Sequence, residues 1–360
     1  MPPGLVAYLP LFTQCLTELG TMKEDFVSLT QRIQRKCGGI HAYHITSPKP
    51  NRQEAAFLIV RAKGTSAQLE DLTAILSDIL LEPNFNDQKR FKQLVLEAKA
   101  TLEEDLLAGG DSFALSRLRA MDNTAHWLGE QSEGFSYLRF LRSLADEVDA
   151  DWAGVAARLE TIRQSVISRR HMTVSVTTDR DLLSAFQKTL REFVAGLPAL
   201  EAPLRAWDGR NARGNEALVV PTQVNYVVKG ANLYEHGYQR TGASHVISSY
   251  LGMTWLWDRV RVVGGAYGAW CSFDRFSGYF AYGSHRDPSL LTTLEAYDKT
   301  PAFLRALELS DNALDKAIIG AIGEVDQYQL PDAEGHTALL RYLLGVTYED
   351  RQRTRDEILG

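Results

Sequence analysis

Residues 258–268 read Asp-Arg-Val-Arg-Val-Val-Gly-Gly-Ala-Tyr-Gly and separate a predicted helix from a predicted pair of strands. The helix covers about 241–260, and the two glycines after it allow a sharp bend because neither carries a side chain. Residues 266–273 and 278–284 are predicted to pair as a β-hairpin. A helix that leads into an antiparallel hairpin is typical of an α+β fold.

Helices and strands also alternate towards both ends of the chain. Thr21 and Glu24 form a capping-box pattern, which predicts that a helix starts there because the two side chains can satisfy free backbone N–H groups. The other predicted elements are strands over 40–46 and 55–62, a helix capped by Ser66 with apolar Leu69, Leu72, Leu76 and Ile79, four helices over 85–165, a strand over 172–177, a helix over 182–195, strands over 217–220 and 223–228, and at least three helices after the hairpin.

Residues 201–215 form the clearest predicted boundary. They contain one proline, two glycines and three arginines, and they have almost no apolar periodicity. Such a segment buries little and is predicted to be a surface linker. It separates two predicted domains, 1–200 and 216–360. The predicted architecture is a duplicated α+β fold, in which each domain has a mainly antiparallel sheet covered by long helices and both are trimmed at the chain ends.

Composition excludes several classes of protein. The chain has 360 residues, of which 45% are hydrophobic, and a formal net charge of −6. A mildly acidic protein lacks the basic surface that nucleic-acid binding requires. No apolar run has the roughly 20 residues of a membrane span, and no signal peptide is recognisable at the start. Three widely spaced cysteines fit neither a disulfide framework nor a paired-cysteine zinc site, so a reducing, cytoplasmic location is predicted.

Common catalytic motifs are absent from the sequence. The eight histidines include no His-Glu-x-x-His or His-x-x-Glu-His pattern, and there is no Gly-x-Ser-x-Gly or phosphate-binding loop. The strongest candidates for chemistry are instead Arg261 and Tyr267, which could donate hydrogen bonds to a carbonyl or an oxyanion beside the glycines 264, 265 and 268. The alternative is that the glycines only mark a bend, with Arg261 paired on the surface and Tyr267 in the core.

Several stretches together resemble the presequence protease branch of the pitrilysin family of zinc metallopeptidases. They cover essentially the whole chain, and the Arg-x-x-x-Gly-Gly-Ala-Tyr-Gly spacing is the most specific. The matching stretches are LPLFTQCLTELGT (9–21), the strand after Gly38-Gly39, LEPNF (81–85), VNYV (224–227), RVRVVGGAYG (259–268) and SHRDPSLLTTLEAYD (284–298).

The resemblance implies a fold and a role. Members of the family have four homologous α+β domains in two halves, which enclose a chamber where unfolded peptides are degraded. Zinc binds in the first domain, and the last domain supplies an arginine and a tyrosine that hold the substrate. By position these are Arg261 and Tyr267 here, with Gly264 and Gly265 between them as part of the substrate-binding segment.

The expected zinc ligands are missing from this chain. Leu11, Gln14 and Cys15 stand where the duplicated zinc helix would have its ligands, and these side chains cannot hold zinc together. Glu97 stands where a distal glutamate would lie, but without other ligands it is interpreted as a solvated helix residue. We therefore expect no metal site and no catalytic residue in this chain, with zinc in the N-terminal half of the enzyme.

The sequence thus predicts the non-catalytic C-terminal half of a zinc oligopeptidase, whose partners are a peptide and the N-terminal catalytic half. Any targeting signal would lie in that half, and exposed sheet edges would allow self-association. One alternative is a stand-alone scaffold or peptide-binding subunit that pairs with a separately encoded zinc-bearing half. Another is an unrelated α+β interaction module.

Overall fold

The computed structural model describes residues 1–50, 53–201 and 207–360. The elements of the first part of the chain are α1 (Leu9–Glu18), α2 (Phe26–Lys36), β1 (Gly39–Pro48), β2 (Glu54–Lys63), α3 (Leu69–Leu81), α4 (Gln88–Ala108), α5 (Gly110–Arg119), α6 (Thr124–Glu133), α7 (Phe135–Ala150), α8 (Trp152–Val166) and α9 (Leu183–Gly196). Those of the second are β3 (Asn225–Asn232), α10 (Ala243–Met253), a π-helical turn (Trp257–Val263), β4 (Gly268–Asp274), β5 (Tyr279–Asp287), α11 (Leu291–Arg305), α12 (Asp311–Val325), α13 (Pro331–Leu344) and α14 (Tyr348–Leu359).

The described chain folds into two compact units. The first consists of Met1–Thr46, Ala56–Glu103 and Leu128–Asp208, and the second of Ser47–Ala55, Glu104–Trp127 and Gly209–Gly360. The helix α5 therefore belongs to the second unit, although it precedes the predicted linker. Part of that linker, residues 202–206, lies outside the described residues, and the division at 201–215 stays a prediction.

The first unit is built around a large helical core. The apolar face of α1 is fully buried at Leu11, Phe12 and Leu16, and α4 contributes Phe91 and Leu94 to the same cluster. Burial of such side chains is the main source of stability in a fold of this kind, at about 2–3 kcal/mol for each large residue. β1 and β2 pair as a two-stranded sheet.

The second unit contains a three-stranded antiparallel sheet. The strand order is β3-β5-β4, so the hairpin strand β5 is central. The helix α5 packs against β3 and β5, and α10 packs against β4. A smaller core includes Tyr297, whose ring stacks on Tyr282 at 5.0 Å between centroids and whose hydroxyl donates to the Val227 carbonyl at 3.1 Å.

The α+β class, the hairpin and most helices agree with the sequence predictions, but two helix starts differ. The helix α2 begins after Asp25, whose side chain accepts a hydrogen bond from the Ser28 N–H at 2.8 Å. The predicted box at Thr21 and Glu24 is wrong, because the backbone N–H of Thr21 donates to the Glu24 carbonyl in an isolated bridge. The cap before α3 is Thr65 and not Ser66.

The strands predicted at 172–177 and 217–220 are wrong. Both segments are described, and neither forms a strand. The apolar side chains that suggested alternation are exposed, with Val176 37% and Val219 99% accessible. A strand requires a hydrogen-bonding neighbour as well as an alternating pattern, and the pattern alone cannot supply one. Residues 85–165 form five helices rather than four, and the predicted helix over 241–260 is broken after Met253.

A buried ion pair anchors the turn between β4 and β5. The Asp274 carboxylate accepts hydrogen bonds from the Ser277 hydroxyl at 2.7 Å and the Phe276 N–H at 2.9 Å, and it lies 3.1 Å from His126 Nε2. Burial alone would raise the pKa of Asp274, but these partners outweigh burial and hold the pKa well below its usual range.

We expect the variant Asp274→Asn to destabilise the protein at neutral pH by about 1–3 kcal/mol. Because folding lowers this pKa, the stabilising contribution is complete above the unfolded-state pKa near pH 4 and is lost as the pH falls through the folded-state pKa. The difference between wild type and variant should therefore shrink in acid. Urea unfolding across a pH series measures it, and a difference that stayed constant or grew below pH ~4 would contradict the assignment.

Candidate functional site

Arg261 lies in the π-helical turn, and the two glycines close that turn. The Gly265 N–H donates to the Arg261 carbonyl at 2.9 Å, and the Ala266 N–H donates to the Val260 carbonyl at 3.1 Å. Gly265 has φ +82°, the left-handed conformation that favours glycine. The pattern is a Schellman-type cap enlarged by one residue, as expected after a π-helical rather than an α-helical turn.

The guanidinium of Arg261 lies between two aromatic rings. Its Cζ is 4.0 Å from the ring centroid of Trp257 and 5.9 Å from that of Tyr267. Within the described residues it has no hydrogen-bond or ion-pair partner. Stacking holds the planar group in place and leaves its N–H edge free to donate. The alternative that Arg261 is paired on the surface is therefore wrong.

Tyr267 lies at the entrance to β4 and is held by its backbone. Its N–H donates to the carbonyls of His285 and Arg286 at 3.1 and 3.3 Å, while 68% of the residue is exposed. The alternative that places Tyr267 in the core is wrong for that reason. Arg261 and Tyr267 together present a guanidinium and a phenol side by side, and both groups donate to oxygen.

A buried carboxylate supports Tyr267 from behind. The His285 ring lies 5.9 Å from the Tyr267 ring between centroids, and His285 Nδ1 lies 2.8 Å from Asp111 Oδ1. The other oxygen of Asp111 accepts from the Trp270 indole at 2.9 Å. Since Asp111 is on α5, 174 residues from His285, no local sequence signal could identify it.

The absence of a side chain at Gly264 positions Arg261. A Cβ added there would lie 2.5 Å from the Val260 carbonyl oxygen, which is too close for any real contact. We expect Gly264→Ala to lower the free energy of unfolding by about 1–3 kcal/mol. Gly252→Ala in α10 is the matched control, because its added Cβ meets nothing within 4 Å and the change should be neutral or stabilising. Thermal unfolding compares the two variants, and equal effects would contradict the geometry.

The residues at the expected zinc position do not fit a metal. Cys15 and Leu11 are completely buried in the first unit, and burial strongly raises the pKa of the Cys15 thiol, which opposes the thiolate that zinc requires. The Gln14 amide donates to Glu18 at 3.3 Å, and Glu97 lies 3.5 Å from the Arg90 guanidinium. In the part of the chain that the structure describes, no three His, Cys, Asp or Glu side chains could hold a metal ion.

The fold places the chain among pitrilysin-type proteases. The structure aligns with the periplasmic protease PqqL of Escherichia coli over 98% of this chain and 38% of that one, at a TM-score of 0.56 and 14% identity. It aligns with pitrilysin over 98% of this chain and 39% of that one, at a TM-score of 0.51 and 15% identity. At these identities the alignments establish the fold alone.

Sequence comparison defines the branch. Residues 1–144 match a family described as peptidase-associated, and residues 215–360 match the PreP C-terminal domain. The chain is 48% identical over 359 residues to presequence protease 1, chloroplastic/mitochondrial, of Arabidopsis thaliana, and 26% identical over 374 residues to the mitochondrial presequence protease of Saccharomyces cerevisiae. These alignments cover 99% and 100% of this chain.

The chain therefore belongs to the presequence protease branch of the pitrilysin family, and it corresponds to the C-terminal region of its members. It spans 33% of the length of the Arabidopsis relative and 37% of that of the yeast relative. None of the helices in the described residues is both long and apolar enough to cross a membrane.

Proposed function

We propose that this chain forms the non-catalytic C-terminal part of a zinc-dependent oligopeptidase that degrades unfolded peptides. In this proposal it forms one wall of the peptide chamber and contacts the substrate through Arg261 and Tyr267. The observation that carries the proposal is the unpaired, aromatic-stacked guanidinium beside an exposed phenol, in a chain that is 48% identical to a presequence protease.

The two side chains would act on the peptide backbone. A peptide carbonyl placed between them would accept one hydrogen bond from the Arg261 guanidinium and one from the Tyr267 hydroxyl. As the carbonyl carbon becomes tetrahedral its oxygen gains negative charge, and both bonds then strengthen. The glycines 264 and 265 would contribute by fixing the turn from which Arg261 projects.

The zinc chemistry is proposed for the N-terminal catalytic half, because the ligand positions in this chain hold Leu11, Gln14 and Cys15. That half and the peptide are the proposed partners. The two relatives compared are named for the mitochondrion or chloroplast, and the cytoplasmic location predicted from the sequence stays a prediction. Self-association through sheet edges also stays a prediction.

Photo-crosslinking in the complete protein tests the contact with substrate. Replacing Tyr267 by the photoreactive residue p-benzoylphenylalanine should capture a fluorescein-labelled, unstructured peptide on irradiation, and excess unlabelled peptide should suppress capture. Tyr342 is the matched control position, since its side chain is 73% exposed on α13. Equal capture at both positions, or none at position 267, would overturn the proposed role.

A further inference from the structure

Three arginines of the second unit face one another from separate segments. Arg240 precedes α10, Arg275 lies in the turn between β4 and β5, and Arg341 lies near the end of α13. All three are half-buried. Burial lowers the pKa of Arg275, and the nearby charges of Arg240 and Arg341 lower it further. The three like charges are therefore close enough to repel one another.

The described residues provide no counter-ion for this cluster. Arg275 and Arg341 make no hydrogen bond or ion pair within the described chain, and the Arg240 guanidinium donates only to the Thr354 hydroxyl at 3.0 Å. Arginines that leave water are almost always paired. This cluster is an exception, and it concentrates positive charge on a chain whose net charge is −6.

Carboxylates near the cluster already have other partners. Asp274 is engaged by His126 and Ser277, as described above. Asp350 forms the capping box of α14 with Thr347 and pairs with Arg353. Glu334, a third carboxylate that faces the cluster, opposes the lowering of the Arg341 pKa, which burial and the charge of Arg351 produce. The surrounding acidic groups therefore leave a net positive site.

The geometry keeps at least one guanidinium ready to bind. The Arg275 Cζ lies 4.9 Å above the centroid of the Phe276 ring, so the plane of the group rests on an aromatic face and its N–H edge stays free. The cluster lies at the far end of the hairpin from Tyr267. The roughly eight residues of strand from 267 to 275 span about 25 Å, so the cluster is separate from the proposed peptide site.

We propose that Arg240, Arg275 and Arg341 form a binding site for a multivalent phosphate anion of the polyphosphate class. A single carboxylate would offset one of the three positive charges, whereas a chain of phosphates offers several negative charges and several acceptor oxygens. Each guanidinium can bind such a group through two parallel hydrogen bonds. Inorganic polyphosphate and the triphosphate of a nucleotide share this chemistry.

Isothermal titration of the 360-residue chain with inorganic tripolyphosphate tests the proposal. We expect saturable binding to one site, and we expect the double variant Arg275→Gln/Arg341→Gln to weaken it by about tenfold or more. Arg142→Gln is the matched control, because Arg142 is a surface arginine of the first unit that is paired with Glu103. It should leave the affinity unchanged.

Thermal unfolding distinguishes loss of the site from loss of the fold. Removing mutually repelling arginines should leave the melting temperature of the unliganded double variant equal to or above that of wild type. The single variant Arg341→Gln gives a second test, with an intermediate affinity expected. Equal binding to wild type and double variant, or no binding to wild type, would overturn the proposal.

Competition experiments identify the source of the ligand. ATP that displaces tripolyphosphate at similar concentration supports recognition of the phosphate chain, and much tighter binding of ATP supports a nucleotide as its source. An acidic peptide, such as a run of glutamates, should compete poorly. A peptide that competes better than tripolyphosphate would assign the cluster to protein carboxylates and contradict the proposed class.

Discussion

Alanine in place of Arg261 in the complete protein should lower kcat/KM for an unstructured peptide by about 10²- to 10³-fold. The expected loss is mainly in kcat, because the guanidinium meets its strongest acceptor only when the carbonyl oxygen becomes negatively charged. Arg261 has no hydrogen-bond or ion-pair partner among the described residues, so its removal breaks no buried pair and the fold should persist. Tyr267→Phe should cost less, about tenfold.

Arg259 offers a matched control two residues away. Its guanidinium also stacks on an aromatic ring, 5.2 Å from the Trp255 centroid, but it lies 3.4 Å from the Asp258 carboxylate. We expect Arg259→Ala to leave kcat and KM nearly unchanged. Steady-state kinetics on the three variants, with circular dichroism to verify folding, decide the matter. Unaltered peptide cleavage by Arg261→Ala and Tyr267→Phe would favour an interaction module without a role in catalysis.

A leucine pair in α4 gives the largest expected effect on stability. Leu94 is completely buried in the core of the first unit, whereas Leu96, two residues later in the same helix, is 41% exposed. Leu94→Ala should lower the free energy of unfolding by about 2–5 kcal/mol, since it removes buried methyl groups and leaves a cavity. Leu96→Ala should cost less than about 1 kcal/mol.

Because both variants exchange the same two residue types in one helix, helix propensity affects them equally and only burial differs. Urea denaturation followed by far-ultraviolet circular dichroism measures both. Similar losses for the two positions would mean that α4 does not turn its Leu94 face into the core of the first unit.

Local sequence signals predicted those parts of the fold that depend on near neighbours. The apolar spacing of Leu69, Leu72, Leu76 and Ile79 gave α3, and the segments 266–273 and 278–284 gave the hairpin, within about two or three residues. Features that depend on a competitor or a distant partner were missed. Asp25 replaced Thr21 as the helix cap, and 172–177 found no neighbouring strand. The π-helical turn at Trp257 has no sequence signature.

The candidate site shows the same division. The double glycine at 264–265 predicts a bend, and the structure contains one. The roles of Arg261 and Tyr267 came from resemblance to a family, since residue type alone also allowed a surface pair and a core tyrosine. Asp111, which holds His285 and Trp270, is contributed by a helix that lies 159 residues or more away along the chain, and contacts of that range leave no pattern in a single sequence.

The composition of the second unit has a consequence for how the protein can be divided and assembled. Its sheet is formed by β3, β4 and β5, but α5, from residues 110–119, packs on that sheet and supplies Asp111. A cut within 201–215 would therefore leave the C-terminal piece without one of its own layers. During synthesis α5 emerges from the ribosome long before β3, and must wait for its sheet. We expect the two units to reach their native state together rather than in order of translation.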